Sequence, residues 1–578
     1  MLHIRGSPTR LAFLGQVMFV CFQFSALGTA VLGPITFEEI AGRAGVHFQT
    51  NSSPTPFRHQ PETMPGGVAL FDYDGDGYLD IYFVNGAEMP SLVKRGPQYR
   101  NRLYHNNGNL TFTDVTEKSG LDGSGYGIGV AVGDYDNDGR PDLFVTAVNG
   151  NRLFHNNGDG TFTDVTAKAG VEGGLYKGKR MWSIAAAWLD YNNDGLLDLF
   201  VSNYCRWDPK TEQACFANGQ NGARIICDPR YCEPLPNTLY RNNGDGTFTD
   251  VSAQTGIAAH LGRGMGVAVA DYDGDGYPDI FVANDNAANQ LFHNLHGERF
   301  EEVAMDAGVA LGEDGNVLSG MGADFRDVRN TGLPDIWMTA IEKQTFPLFV
   351  NLGEGHFAVK TAAAGLGMDT FEMSGWGNGI ADFDNDGWKD LFVVRANVDE
   401  NVHLFSPRTF EEPNAVFRNL RNGRFENVSA TAGPEFQIPA GHRGVAFGDL
   451  DNDGRIDAVV TVLNGPAKIF HNTTQNGNHW ILLKLSGTAS NRMGIGARIR
   501  VTTADGSVQY DHLTTSVGYA SSSDSRVHFG LGANAAVKEI EIIWPSGIRQ
   551  VLRDVAADHV VTVTEPGGAK ATSSAKQH

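Results

Sequence analysis

One nine-residue acidic loop recurs seven times along the chain, each copy entered from a Gly-rich apolar strand and left through a second apolar strand. The copies begin at Asp72, Asp134, Asp190, Asp271, Asp327, Asp382 and Asp449, with successive starts 62, 56, 81, 56, 55 and 67 residues apart. A repeat of this length cannot bury its apolar face alone, which predicts a solenoid or a propeller. Two more short strands follow each loop, as in NRLFHNNGDGTFTDVT from Asn151 to Thr166, where the Asn/Gly segment predicts a hairpin turn. Four antiparallel strands per unit, with no sustained helical period, make each unit a propeller blade.

The last unit, around Asp449, has a third strand at 468–472 but no FTDVT-like fourth. That pattern sits instead near the start of the chain, as ITFEEIAGRAGV from Ile35 to Val46. The expectation is an all-β chain, with a seven-bladed β-propeller over 31–475 closed by the N-terminal strand, so that no sheet edge stays open. A small antiparallel β domain over 476–566 should follow, because HWILLKLSG, GARIRVTTADG and KEIEIIWPSG alternate as half-buried strands do. Residues 567–578 carry no large apolar side chain and are expected to be a disordered tail.

In the first loop, DYDGDGYLD, the residues Asp72, Asp74, Asp76 and Asp80 put oxygen-only side chains at positions 1, 3, 5 and 9, with Gly77 at position 6. That donor set suits a hard cation such as Ca2+, and without one the crowded carboxylates repel each other. The set recurs as Asp134, Asp136, Asp138, Asp142; as Asp271, Asp273, Asp275, Asp279; as Asp382, Asp384, Asp386, Asp390; and as Asp449, Asp451, Asp453, Asp457. The third loop, Asp190, Asn192, Asp194, Asp198, exchanges one carboxylate for an amide oxygen. The fifth, DVRNTGLPD, keeps Asp327 and Asp335 but has Arg329 and Thr331 at positions 3 and 5, so a guanidinium is expected to stand in for the ion. Six structural Ca2+ ions are therefore expected. An EF-hand is excluded, since position 12 is apolar (Phe83, Val145) and the flanks are strands.

The formal charge of −22 disfavours nucleic acid and anionic membrane surfaces as partners. Residues 1–30 read as an export signal, with His3, Arg5 and Arg10 before an apolar run from Leu11 to Phe24 and small residues at Gly28 and Ala30; a retained N-terminal anchor is the alternative. No later segment reaches transmembrane length, and the mature chain is expected to be a monomer in an extracellular or periplasmic space. Cys205, Cys215, Cys227 and Cys232 fall in one insertion, 204–236, and predict two disulfides of open connectivity. The rival, a four-cysteine zinc site, lacks the usual CxxC spacings.

The strand order puts the metal loops and tight turns on one face and the long segments 86–100, 204–236, 395–413 and 434–443 on the other, where binding normally resides. Trp182, Arg263, Trp376, His442 and Arg443 precede inner strands and are expected to ring the channel mouth on that face. Aromatic and cationic groups there suit a glycan or carboxylated ligand, with ordinary loop packing as the alternative. The chain has no GxSxG elbow and no HExxH, and no catalytic residue is assigned. Its histidines, several in the LFHN strand, are expected to be packed or turn-bonded. Two functions stand against each other: a non-catalytic scaffold binding an extracellular protein or glycan, and a polysaccharide lyase with His442 and Arg443 as its adjacent base and cation.

The acidic repeats resemble the FG-GAP/VCBS type of integrin-like propellers, and NRMGIGARIRV, SVGYASSSDSRVHFGLG and IIWPSGIRQVL resemble an ASPIC/UnbV domain. Together they resemble the cartilage acidic protein-like family of exported proteins, over roughly 35–566. The resemblance implies a calcium-dependent adhesion or interaction protein, and six of the loops match integrin-type calcium loops position by position. The loop at Asp327 departs from that pattern.

Overall fold

The computed structural model describes residues 33–218 and 222–567, together with residues 2, 3 and 6. The export segment and the tail therefore lie outside the described residues, apart from those three and Gly567. Every acidic loop joins the first two strands of an antiparallel sheet. In the first unit Val68–Phe71 pairs with Asp80–Phe83, which pairs with Arg102–Asn106, which pairs with Phe112–Asp114. The units around Asp134, Asp190, Asp271, Asp327 and Asp382 repeat this order. Around Asp449 the order runs His442–Gly448, Asp457–Val462, Gly465–Asn472, and the fourth strand is Phe37–Glu39, with Phe37 opposite Asn472.

The Gly-rich starts of the inner strands have a steric cause. Successive inner strands pack side by side, and His442–Gly448 packs against Val68–Phe71. A Cβ at Gly129 would lie 2.4 Å from the Ile184 carbonyl oxygen, and one at Gly444 would lie 2.0 Å from that of Gly66. No side chain fits such an approach. Between the sheets, apolar side chains interleave as separate packed layers, for example Val130, Val132 and Leu143 with Phe71 and Tyr82.

After residue 476 the chain forms two sheets, one ordered Val527–Gly532, His479–Ser486, His559–Thr564 and the other Val508–His512, Arg498–Thr503, Ala536–Ile543, Arg549–Ala556. The expected purely antiparallel arrangement needs correcting, because Ile481 to Ser486 runs parallel to His559 to Thr564. The chain between these two strands, through the second sheet and Val527–Gly532, brings the last strand back in the same direction. This region is not hung loosely from the repeats. Ile481, Ile499, Phe529 and Trp544 share one buried cluster with Tyr135 and Trp188 of the second and third units.

A hairpin from the C-terminal region reaches in among the inner strands. Ser516–Val517 pairs with Ser521–Ser522, and Ser522 pairs in parallel with Ala69 of the first unit. Val130 of the second unit donates to the Ala520 carbonyl at 3.0 Å, and Ala323 of the fifth exchanges backbone hydrogen bonds with Gly518. Ser516 Oγ donates to the Val267 carbonyl at 2.8 Å, and the Phe447 amide donates to Ser523 Oγ at 3.0 Å. At its tip Tyr519 is fully buried against Trp376 and its hydroxyl donates to the Met64 carbonyl at 2.7 Å.

The insertion carries two nested disulfides, Cys205–Cys232 and Cys215–Cys227, so its cysteines do not form a zinc site. The inner bridge spans a sequence separation of 12 residues. By chain entropy a loop of that size is stabilised by about 3 kcal/mol. Reduction is expected to open residues 206–231 to protease while the sheets stay resistant, which limited proteolysis with and without reductant would measure.

Candidate metal centres and the long-loop face

The acidic loops are shaped before any ion is considered. In the first, Asp72 accepts from the Gly75 amide at 2.8 Å and the Gly77 amide at 3.1 Å, and Asp76 accepts from the Tyr78 amide at 2.9 Å. Asp80 accepts from the Tyr73 amide at 3.1 Å and the Asn106 amide at 2.8 Å. The turn needs left-handed backbone at positions 4 and 6, supplied by Gly77 (φ 94°) here and by Asn137 (φ 59°) at position 4 of the second loop. Carboxylate oxygens of Asp72, Asp74 and Asp76, and likewise of Asp134, Asp136 and Asp138, come within 4.8 Å of one another.

Burial, reinforced by the neighbouring acids, pushes Asp80 up to about 8, Asp134 to about 7, Asp279 to about 7 and Asp449 to about 8. Burial also raises Asp198 of the third loop, where Asn192 Nδ2 donates to Asp194 at 3.0 Å. Asp384 Oδ1 and Asp451 Oδ1 are buried without any hydrogen-bond partner. Inward oxygen donors, raised carboxylates and orphaned oxygens fit a hard divalent cation held by positions 1, 3, 5 and 9. The fifth loop differs as its sequence implied: Arg329 Nε and Nη2 reach Asp335 at 3.0 and 2.9 Å. Changing Arg329→Asp together with Thr331→Asp is expected to add one Ca2+ per chain, counted by titration calorimetry or elemental analysis.

Two recurrent side chains take specific places that the sequence reading left open. The histidines of the LFHN strand do not simply pack, because they point at the loop. His105 Nδ1 lies 3.2 Å from Asp80 and 3.4 Å from Asp74, His293 lies 3.1 Å from Asp279, and His471 lies 3.0 Å from Asp457. In the sixth unit Arg418 takes this place, 3.1 Å from Asp384. The asparagine that follows ties units together. Asn106 Nδ2 donates to the Leu79 and Leu450 carbonyls at 3.0 and 2.8 Å, and Asn156 Nδ2 donates to the Tyr73 carbonyl of the preceding unit at 2.8 Å. The repetition of HN after LF was the available signal, but pairing it with a loop acid 14 residues away, as for His293 and His471, needs the strand register.

The five residues expected to ring an open mouth are placed differently. Trp182, Trp376, His442 and Arg443 are buried, and Arg263 is half-buried and donates to the Cys232 carbonyl at 3.2 Å. The Arg443 guanidinium stacks 3.9 Å from the Trp376 ring and donates to the Thr63 carbonyl at 2.8 Å. Burial pushes His442 down to about 3, leaving a neutral imidazole sealed from solvent at neutral pH. The physical reason is packing from neighbouring segments: His442 Nδ1 lies 3.2 Å from the Arg395 carbonyl, Tyr519 of the 516–522 hairpin meets Trp376 edge-on, and Thr63 of the segment 60–64 accepts from Arg443. That segment is tied to the insertion, with the Gln60 amide donating to Glu212 at 2.7 Å and His59 paired to the same carboxylate.

Comparison with known proteins gives matches along both parts of the chain. A model described as FG-GAP-like repeat matches residues 72–145, 134–201, 232–282, 271–338 and 382–460, and one described as ASPIC and UnbV matches 487–570. Cartilage acidic protein 1 of Homo sapiens is 25% identical over 541 residues, covering 89% of this chain and 74% of that protein. The Mus musculus protein of that name is 26% identical over 556 residues, covering 89% and 76%. Among solved structures, an Agrocybe aegerita lectin that recognises non-reducing terminal N-acetylglucosamine has a TM-score of 0.40 at 17% identity, covering 70% of this chain and 87% of its own. A Bacillus licheniformis rhamnogalacturonan lyase has a TM-score of 0.37 at 13% identity, covering 76% of each.

Proposed function

The chain belongs to the FG-GAP-like repeat family and ends in an ASPIC and UnbV domain, and on that footing we propose that it is an exported, calcium-ordered, non-catalytic scaffold that binds an extracellular protein or glycan. In this reading residues 31–475 form a seven-bladed propeller, with Phe37–Glu39 as the fourth strand of the last blade. Six loops, all but the one at Asp327, hold Ca2+ through the carboxylates and the Asn192 amide named above. The 476–566 domain sits on part of the metal-loop face, in keeping with Arg498 donating to Asp271 at 2.7 Å and Lys484 standing 3.4 Å from Asp72.

One observation carries the choice of surface. With the axis filled and the C-terminal region set against part of the metal-loop side, the broadest remaining surface is the long-loop face, stapled by two disulfides. Exposed large apolar side chains stand in its segments, Val93, Tyr231, Leu404 and Ile438 among them, and exposed Phe57 lies beside the insertion, where its carbonyl accepts from Arg224. Apolar groups held at a rigid surface mark interaction sites. The lyase alternative asked for an accessible base, and burial of His442 and Arg443 weighs against it.

The test is a binding screen of the full chain against extracellular proteins and glycans, with and without chelator. Phe57→Ser and Tyr231→Ala are expected to weaken a captured partner at least ~10-fold, the loss typical of an aromatic anchor, with melting temperature unchanged. A partner whose binding ignores these changes but fails when the exposed strand Arg549–Ala556 is altered would refute this assignment of the face.

A further inference from the structure

The sixth loop differs from its fellows in being roofed over. In the first loop Asp74, Gly75 and Asp76 are exposed, in the second and fourth so are Asp136, Asp138, Asp273 and Asp275, and in the third and seventh Asn192, Asp194, Asp451 and Asp453 are half-buried. Around Asp382, by contrast, every residue from Asp382 to Gly387 is buried. The Asp384 and Asp386 side chains are only 1% and 2% exposed.

The roof comes from the C-terminal region. Asn476 and Asn478 both donate to the Asp384 carbonyl, the latter at 2.8 Å, and the Gly532 amide donates to the Asn385 carbonyl at 2.8 Å. The strand Val527–Gly532 comes so near that a Cβ at Gly530 would lie 2.1 Å from Asp382 Oδ2. Charge inside the roof is nearly but not fully balanced. Asp382, Asp384, Asp386 and Asp390 face two guanidiniums, Arg418 at 3.1 Å from Asp384 and Arg421 at 2.7 Å from Asp386. The nearby Lys389 is engaged elsewhere, donating to the Tyr510 carbonyl at 2.8 Å and standing 3.6 Å from Asp511. With all four carboxylates ionised, as a bound cation requires, two negative charges remain, the charge of one divalent cation, and Asp384 Oδ1 has no hydrogen-bond partner. An uncompensated pair of charges at this depth is strongly disfavoured.

We propose that the sixth loop holds a kinetically locked Ca2+, sealed beneath the C-terminal region, which can leave only when that region lifts from the repeats. The ion is then a bolt between the two parts of the chain, whereas those of the open loops exchange freely with solvent. This inference rests on the calcium reading of the loops given above.

The experiment mixes calcium-loaded full chain with excess fluorescent chelator and follows release. A fast phase is expected from the open loops, followed by a phase of one ion per chain at least ~100-fold slower, because release must wait for local opening. Asn476→Ala with Asn478→Ala removes two bonds of the roof and no ligand side chain, and should speed the slow phase. Asp384→Asn should abolish it. Uniform fast release by the native chain, a slow phase that survives Asp384→Asn, or one indifferent to the roof variant would overturn the locking. A chain that binds no Ca2+ at all would instead refute the calcium reading itself.

Discussion

Stripping calcium from the full chain is expected to lower its melting temperature by about 7 °C at neutral pH, and to restore it when the ion is returned. At ~1 mM Ca2+ and a Kd of ~0.1 mM, values usual for extracellular modules, each site contributes about 1.4 kcal/mol by mass action. Six independent sites contribute about 8 kcal/mol, comparable with the net stability of many domains. Unfolding entropy near 2 cal/mol/K per residue converts that sum into the shift given. The pH dependence of the metal-free chain should have a distinctive sign. Asp80, Asp134, Asp279 and Asp449 are raised, chiefly by burial, to between about 7 and about 8. The folded chain therefore binds more protons than the unfolded one between about pH 4 and pH 8. Stability from these groups is fully present below the unfolded carboxyl pKa and is lost as pH rises through the folded values. Metal-free protein should thus melt lower at pH 8 than at pH 5, while calcium-loaded protein should not follow that fall. Differential scanning fluorimetry across pH, with and without chelator, measures both effects. Equal melting temperatures at pH 8 in the two states would remove the premise that these acids are held apart by ions.

The repeat was legible because its spacing encodes backbone geometry. Acidic residues at 1, 3, 5 and 9, with Gly or Asn where φ is positive, describe a turn that little else can make, and the loops at Asp72 and Asp134 adopt it. The fourth-strand pattern of Ile35–Val46 was equally readable, since Phe37 pairs with Asn472. The decayed loop could be read because a guanidinium two residues from its first acid has few other partners. What the sequence hid lies in contacts between distant segments. His105, His293 and His471 look like ordinary strand residues until register aims them at a loop on the neighbouring strand pair. His442 and Arg443 suggested chemistry by adjacency alone, and only the packing of Arg443 against Thr63 and Trp376 and of His442 against the Arg395 carbonyl reveals them as buried. The Gly near the head of every inner strand but the third was noticed as strand composition. Its cause, strands packed too closely for any Cβ, became visible only with neighbouring units in place.

The 516–522 hairpin should matter most of all to folding, and Tyr519→Ala is expected to destabilise the chain by about 4 kcal/mol. Truncating a fully buried aromatic residue costs roughly 3–5 kcal/mol through lost transfer energy and the cavity left behind. Here the Met64 carbonyl also loses its hydroxyl donor, and Trp376 loses the ring that meets it edge-on. Removing the whole C-terminal region has a larger consequence, because the inner strands direct polar backbone toward it. The Val130 and Phe447 amides, both bonding groups of Ala323 and the carbonyls of Val132 and Val267 all bond residues between Thr515 and Ser523. Water entering the axis could satisfy some of these groups but not the buried apolar contacts of Val517, Tyr519 and Ala520. A chain ending at residue 475 should consequently melt well below the full chain, and a synthetic 511–526 peptide should recover part of the loss in proportion to its concentration. Calorimetry on the truncated chain, alone and with peptide, separates the outcomes. A truncated chain that melts at the temperature of the full one would mean that the repeats complete their own core and that the hairpin merely occupies an existing channel.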